Sequence, residues 1–419
     1  MPMSEPFINN LNPVLKKITS HYRTPFHIYD EAGIRETGKR LKEAFSGIEN
    51  FKEFYAVKAL PNPRILKIMQ SMGFGFDCSS VTELQLCRTI GGSADDIMFT
   101  SNNTSQEVFL AAAEDKGCIL NLDDISLIDK VPNLPELICF RYNPGARRTG
   151  NDIIGNPLEA KYGVSHDQII EAYRKAKSKG ATRFGIHTMV ASNELNYKYM
   201  VQTTRMLLDL VIAISAELDI TFEFINIGGG MGIPYQPDVP SLDLESMALE
   251  VTSLFDDFKR QYGYAPALFM ESGRFITGPH GALVVTAINR KEIYRTYVGV
   301  DASMSALMRP ALYGAYHHID VLGKKLSDGS ETVDVVGSLC ENNDKFAVQR
   351  DLPPIVDGDI LIIHDTGAHG QSMGFNYNGN LRPKELLLGP DGSVELIRRE
   401  ESSEDYFATL KFEPDTLSL

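Results

Sequence analysis

Short apolar runs recur along the first two-thirds of the chain, and longer segments with helical spacing separate them. Segments 81–90, 105–117 and 167–180 place apolar residues three or four positions apart, and two of them end at glycine. The runs predicted as strands are 53–57, 74–77, 97–100, 118–122, 137–143, 182–188, 222–227 and 267–270. Eight strands that alternate with helices predict an α/β fold, a (β/α)8 barrel of TIM type. An open, doubly wound sheet is the alternative, because a count of strands does not establish closure.

The pattern changes after about residue 277, where strand-like segments follow one another with little helical spacing between them. These segments are 281–289, 295–300, 331–337 and 359–365. We therefore predict a barrel domain over residues 30–276 and a C-terminal β domain, resembling a β-sandwich or β-barrel, over residues 277–419. The early segment "TPFHIY" is predicted to add a strand from residues 1–29 to that second domain.

Composition narrows the possible partners and the compartment. The chain has 419 residues, 43% of them hydrophobic and 23% charged, which is typical of a soluble globular protein. A formal net charge of −14 argues against nucleic acid or an anionic membrane as a partner. The five cysteines form no CxxC pair, and no run has the length of a signal peptide core or a membrane span. We expect a cytoplasmic protein.

Several charged residues and a run of glycines directly follow the predicted strands. Lys58 follows the first strand, three consecutive glycines (228–230) follow the seventh, and the eighth runs into "ESGR" with Glu271 and Arg274. In such barrels the reactive groups lie at the C-terminal ends of the strands. Glycines let backbone N–H groups approach an anion, and an acid can hold a pyridine nitrogen. Together with a lysine, these features predict a pyridoxal phosphate site.

Each feature alone has a structural explanation. The glycines could form only a tight turn, Lys58 could be a solvated ion-pair residue, and Glu271 could simply pair with Arg274. Their common position at one end of the predicted barrel favours the functional interpretation. The apolar approach "FYAV" further predicts that Lys58 is buried, which would disfavour its ammonium form.

Motifs along nearly the whole chain then identify a family. They include "YAVKA", "FDCSS", "RYNPG", "INIGGGMGIPY", "ESGR", "RPALYGAYHHI", "GSLCENND" and "FNYNGNLRP", in that order. The chain resembles the fold-type III pyridoxal-phosphate-dependent decarboxylases, whose barrel is alanine racemase-like, and within them the diaminopimelate decarboxylases. The resemblance implies conversion of meso-2,6-diaminopimelate to L-lysine and CO2, in the pathway of lysine biosynthesis.

The resemblance also implies roles for cofactor-binding residues. Lys58 would be the catalytic lysine that forms the Schiff base with the cofactor, and Glu271 would keep the pyridine nitrogen protonated. The predicted cofactor-binding residues are Lys58, Asp77, Ser192, Gly228, Gly229, Gly230, Glu271, Gly273, Arg274 and Tyr377.

A second set of residues is implied for the substrate and for a homodimer. Cys340 would be the catalytic proton donor, and together with Glu341 it would reach the active site of the neighbouring subunit. Arg274, Arg309 and Tyr313 would grip the remote carboxylate, because a planar guanidinium suits a carboxylate. The predicted substrate-binding residues are Arg274, Arg309, Tyr313, Glu341 and Tyr377. No metal is expected, since His317 and His318 have no third ligand at a suitable spacing.

One segment departs from the family pattern. Where the family has His-x-His-x-Gly-Ser, this chain has "HTMVAS", so the ring-stacking position falls on Met189 and Ala191 replaces the glycine. A thioether can pack on a ring but carries no proton or charge.

Three alternatives therefore stay open. The first is decarboxylation of a related substrate, such as carboxynorspermidine or a carrier-bound or siderophore-precursor amino acid. The second is amino-acid racemisation on the same barrel, against which Glu271 argues. The third is a non-catalytic homologue that binds pyridoxal phosphate, against which Lys58 and Cys340 argue.

Overall fold

The computed structural model describes residues 3–149, 155–413 and 417. Its strands are β1 Phe26–Asp30, β2 Lys52–Ala56, β3 Gly75–Cys78, β4 Ile97–Ser101, β5 Ile119–Leu122, β6 Leu137–Asn143, β7 Val164–Ser165, β8 Arg183–Thr188, β9 Phe222–Asn226, β10 Ala267–Met270, β11 Gly281–Glu292, β12 Thr296–Val300, β13 Ile319–Val321, β14 Glu331–Val336, β15 Lys345–Leu352, β16 Ile360–Ile363, β17 Lys384–Leu388 and β18 Val394–Arg398. Its α-helices are α1 Glu5–Tyr22, α2 Glu31–Ala44, α3 Pro63–Ser71, α4 Val81–Thr89, α5 Gln106–Ala113, α6 Ile169–Ser178, α7 Tyr197–Leu218, α8 Leu244–Tyr262, α9 Arg274–Thr277, α10 Arg309–Tyr313 and α11 Ser403–Phe407.

The chain forms two compact units. The barrel unit comprises residues 34–234 and 240–276, and the β unit comprises residues 1–33, 235–239 and 277–419. Within the described residues, no helix is both long enough and apolar enough to cross a lipid bilayer.

The barrel unit is a closed parallel barrel. Neighbouring strands follow the order β5-β4-β3-β2-β10-β9-β8-β6, and β5 pairs with β6 to close the circle, with β7 added outside it on β6. The predicted (β/α)8 barrel is confirmed, and the open sheet is excluded because it would leave two edge strands.

Apolar side chains fill the barrel interior near the N-terminal ends of the strands. Phe54, Met98, Ile119, Cys139 and Phe224 form one buried cluster, and each occupies one of the first three positions of its strand. Polar groups are thereby left to the C-terminal ends, where they line the mouth of the barrel.

The β unit is a mixed sheet in which the first strand of the chain is central. The main order is β15-β14-β12-β11-β1-β17-β18, and β16 joins β11 to β13. Successive residues of β11 point to opposite faces, so Leu283 and Val285 enter one apolar cluster and Val284 the other. Helix α1 covers the second face with Phe7, Leu11, Leu15 and Ile18. The sequence analysis predicted no helix there.

Candidate cofactor site at the mouth of the barrel

Lys58 lies just beyond the end of β2, in a single 3-10 turn formed by Val57–Ala59. Val57 and Ala59 are buried, but 53% of the Lys58 side chain is exposed, and its Nζ lies 3.9 Å from Asp77 Oδ2. The prediction of a buried amine is therefore wrong. The turn rotates the side chain out of the strand pattern and into the barrel mouth, where it remains accessible to a ligand.

Asp77 is a buried acid beside this lysine. It lies in β3 with 2% of its surface exposed, and its Oδ1 has no hydrogen-bond partner within the described chain. Burial and the nearby Glu271 raise the pKa of Asp77 to about 8, although Lys58 acts in the opposite direction.

Glu271 is held at both carboxylate oxygens. His187 Nε2 lies 3.1 Å from Oε2, and Asn226 Nδ2 donates to Oε1 at 2.8 Å. Burial alone would raise the pKa of Glu271, but His187, Lys58 and the Asn226 amide outweigh that effect and lower it. The arrangement keeps a carboxylate ionised at the bottom of the mouth.

The three glycines after β9 form a turn that no other residue could build. Gly228 and Gly230 have φ values of 71° and 98°, in the left-handed region. A Cβ on Gly229 would come within 2.3 Å of the Glu271 carbonyl oxygen. Gly273 is also closely packed, since a Cβ added there would lie 2.7 Å from the Cβ of Ala59. The "ESGR" turn therefore packs against the turn that carries Lys58.

These groups fit pyridoxal phosphate. The cofactor needs an amine for its aldehyde, an acid for its ring nitrogen and a cradle of backbone N–H groups for its phosphate, and the barrel mouth offers all three. Arg274 and Ser192 are partly buried near the same strand ends. Among the described residues, no group of three or more histidine, cysteine, aspartate or glutamate side chains is arranged to hold a metal ion.

Two polar residues of this region, Asn226 and Glu53, were not among the predicted site residues. Asn226 links Glu271 to the glycine turn, because its Oδ1 also accepts the Gly228 N–H at 2.8 Å. Glu53, buried in β2, accepts the Ser272 N–H, and burial raises its pKa well above the ordinary range. A charged residue within an apolar strand was the available signal for Glu53.

The remaining predicted site residues belong to the β unit. Arg309 is 4% exposed, its Nη1 lies 2.9 Å from His317 Nε2, and its guanidinium stacks 4.5 Å from the centre of the Tyr235 ring. Tyr313 and Tyr377 are both more than half exposed.

Cys340 and Glu341 lie in a turn organised by Asp344. Cys340 is exposed, and its N–H donates to Asn378 Oδ1. The buried carboxylate of Asp344 accepts the N–H groups of Leu339 and Met304 at 2.8 and 2.6 Å, which fixes the start of the turn. The exposed thiol is thus presented on a rigid loop.

Comparison with known proteins identifies the family. Residues 31–278 match the family described as pyridoxal-dependent decarboxylase, pyridoxal binding domain. Protein TabA of Pseudomonas amygdali pv. tabaci is 44% identical, over 99% of this chain and 97% of that protein. Diaminopimelate decarboxylase of Methanothermobacter thermautotrophicus is 37% identical, over 93% of this chain and 92% of that protein.

A solved structure agrees in fold. Diaminopimelate decarboxylase from M. jannaschii, in complex with L-lysine, superposes with a TM-score of 0.88 at 29% identity, covering 95% of this chain and 94% of that one. The chain belongs to the pyridoxal-dependent decarboxylases. It is accordingly a carbon–carbon lyase that uses pyridoxal phosphate and acts on a small amino acid, as its motifs predicted.

Proposed function

We propose that this chain removes one carboxyl group of meso-2,6-diaminopimelate, which yields L-lysine and CO2. The observation that carries the proposal is the convergence of Lys58, Asp77, Glu271 and the glycine turn at one mouth of the barrel. Relatives named diaminopimelate decarboxylase along most of the chain support the choice of substrate.

The barrel residues would hold the cofactor, within a domain that we assign to residues 30–276. Bound pyridoxal phosphate supplies a protonated ring that accepts the electron pair left when CO2 departs. Lys58 would bind its aldehyde carbon, and Glu271 would hold the proton on the ring nitrogen. Backbone N–H groups of Gly229 and Gly230, with Gly273, Arg274 and Ser192, would bind the phosphate. Asp77 would face the lysine.

Residues of the β unit would complete the reaction. The bond between Cα and the carboxyl carbon breaks, CO2 leaves, and the Cys340 thiol would return a proton to Cα. Glu341 would hold the remote ammonium of the substrate, and Arg309 and Tyr313, with Arg274 of the barrel, would hold the remote carboxylate. Tyr377 would contact the cofactor and the substrate. Substrate binding through Arg309 would have to compete with its present contacts to Tyr235 and His317.

We further propose that two copies of the chain share their active sites, with Cys340 and Glu341 supplied by the partner. The exposure of Cys340 on a fixed turn supports this arrangement. Mixing Lys58→Ala with Cys340→Ala tests it, because a mixed dimer would contain one intact site and one doubly defective site. Subunit exchange at equal amounts should restore about a quarter of the wild-type activity. Activity no higher than that of either variant alone, once exchange is verified by mass, would contradict shared sites.

A second candidate is decarboxylation of a related amino acid. It is favoured by the higher identity to Protein TabA, 44% against 37% for the methanogen enzyme, and by Met189 and Ala191 in the "HTMVAS" segment.

CO2 release distinguishes these candidates. Purified protein with added pyridoxal phosphate is offered meso-diaminopimelate, its LL and DD isomers, lysine, ornithine and carboxynorspermidine. We expect kcat/KM to be highest for the meso compound, with lysine as the second product. Faster turnover of another member of the panel would replace the proposed substrate, and racemisation without CO2 would contradict decarboxylation itself.

A further inference from the structure

Three strands bring His187, Asn226 and Glu271 together. The register of β8 against β9 pairs His187 with Asn226, and that of β9 against β10 pairs Asn226 with Phe269, two residues before Glu271. All three polar side chains are at least nine-tenths buried. Their contacts are therefore fixed by the barrel itself, and not by mobile surface groups.

The two neighbours engage different oxygens of the carboxylate. His187 contacts Oε2 at 3.1 Å and Asn226 contacts Oε1 at 2.8 Å. Because a carboxylate oxygen only accepts, Nε2 of His187 must carry the proton. Its Nδ1 has no hydrogen-bond partner within the described chain, so the side chain makes no competing bond there.

The charged surroundings explain why Glu271 needs this support. Asp77 and Glu53 are two further buried acids, which disfavour the ionised form of Glu271 whenever they are themselves ionised, while Lys58 and Arg141 favour it. The titratable groups that face the pair from neighbouring elements are Glu53, Lys58, Asp77, Asp123, Cys139 and Arg141. A buried carboxylate next to other acids takes up a proton unless donors hold its charge.

We propose that His187 is a positioning residue, which together with Asn226 keeps the Glu271 carboxylate ionised and fixed for the ring nitrogen of the cofactor. Asn226 extends this clamp to the phosphate end, since its Oδ1 accepts the Gly228 N–H. The inference rests on the proposed role of Glu271. It gives His187 a role other than stacking on the cofactor ring. In this chain the stacking position of the family motif is occupied by Met189.

The test measures cofactor affinity in apoprotein, by absorbance titration with pyridoxal phosphate and with pyridoxal. His187→Leu should weaken both ligands by the same factor, about tenfold or more, because the glycine turn is intact. His187→Gln retains an N–H donor and should lose less. Asn226→Ala should weaken pyridoxal phosphate more than pyridoxal, because it also removes the hydrogen bond that fixes the glycine turn at Gly228.

A pH series separates this role from simple packing. Without His187, burial raises the pKa of Glu271, so its ionised fraction grows with pH through the neutral range. The ratio of the His187→Leu and wild-type dissociation constants should therefore be largest near pH 6 and shrink towards about pH 8.5. Taking the ratio cancels titration of the cofactor, which is common to both proteins.

His166→Leu, in the same unit but hydrogen-bonded to Tyr142, is the matched control and should leave both affinities unchanged. Circular dichroism checks folding, and His187→Gln carries the pH comparison if His187→Leu does not fold. Equal losses of cofactor affinity in His187→Leu and His187→Gln at every pH, or no loss in either variant, would contradict the proposed role of His187. Absence of cofactor binding by the wild type would instead refute the proposed function.

Discussion

Replacement of Lys58 by alanine is expected to lower kcat by roughly 10^4-fold or more, because it removes the amine that we assign to the cofactor aldehyde. The visible absorbance of the bound cofactor should disappear with it. The fold should tolerate the change, since 53% of the side chain is exposed and its ion pair with Asp77 is long at 3.9 Å. Steady-state kinetics, an absorbance spectrum and a thermal melt measure the three effects.

Lys52→Ala provides the matched control for this substitution. Lys52 begins the same strand at its opposite end, where it pairs with Asp96 at 2.8 Å, away from the barrel mouth. We expect its kcat to stay within about twofold of wild type. If Lys58→Ala retained both the absorbance band and more than about one hundredth of the activity, Lys58 would not be the cofactor-binding lysine.

Glu271→Gln should have the second largest effect, a fall in kcat of about 10^2- to 10^3-fold with little loss of folded protein. The amide keeps the shape of the side chain and can still accept from Asn226, but it cannot hold a proton on the ring nitrogen. Its NH2 group would also face His187 Nε2, so one contact changes from attractive to repulsive unless the imidazole changes tautomer.

Glu271→Gln is also expected to change the pKa of Asp77. Glu271 is the nearby charge that adds to burial in raising the Asp77 pKa to about 8, so its removal should lower that pKa. In a pH titration of the apoprotein, the proton uptake centred near pH 8 in wild type should then move to lower pH. Glu223→Gln, on the exposed face of β9 and paired with Arg183, serves as control for loss of one acid. Near-normal kcat in Glu271→Gln would contradict the role of this carboxylate.

Much of the barrel could be predicted from the sequence, because each strand is an apolar run bounded by polar or turn residues. The run 267–270 and the observed β10 coincide, and the run 182–188 differs from β8 by one residue. Closure required coordinates, since it depends on the pairing of β5 with β6.

Elements with polar residues inside them were harder to predict. Strand β17 begins with Lys384 and Glu385, yet Glu385 is completely buried and accepts from Tyr29 and Arg398. Local patterns assign such residues to the surface, because the partners that satisfy them are distant in sequence. Helix α1 did offer a signal in its Ser4 N-cap and its apolar spacing.

The candidate site, like the fold, could be predicted from the sequence only in part. Motifs located Lys58, Asp77 and Glu271, because their residue types and order are distinctive. The contacts of Glu271 with His187 and Asn226 depend on the registers of three strands, which no local pattern specifies. Likewise, the exposure of Lys58 follows from a 3-10 turn that continues an apolar run without any glycine or proline to mark it.

The central position of β1 has a consequence for synthesis. Phe26 pairs with Val284 on one side and with Lys384 on the other, so this strand finds its first partner only after residue 284 has been synthesised and its second only after residue 384. Until then its apolar residues, including Phe26 and Ile28, have no sheet to enter. The barrel strands, which lie between β1 and β11 in the sequence, can already associate. Such delayed, long-range pairing is slow and leaves hydrophobic surface exposed to solvent. We therefore expect β1 to be the last strand of the β unit's centre to become protected from solvent as the chain folds.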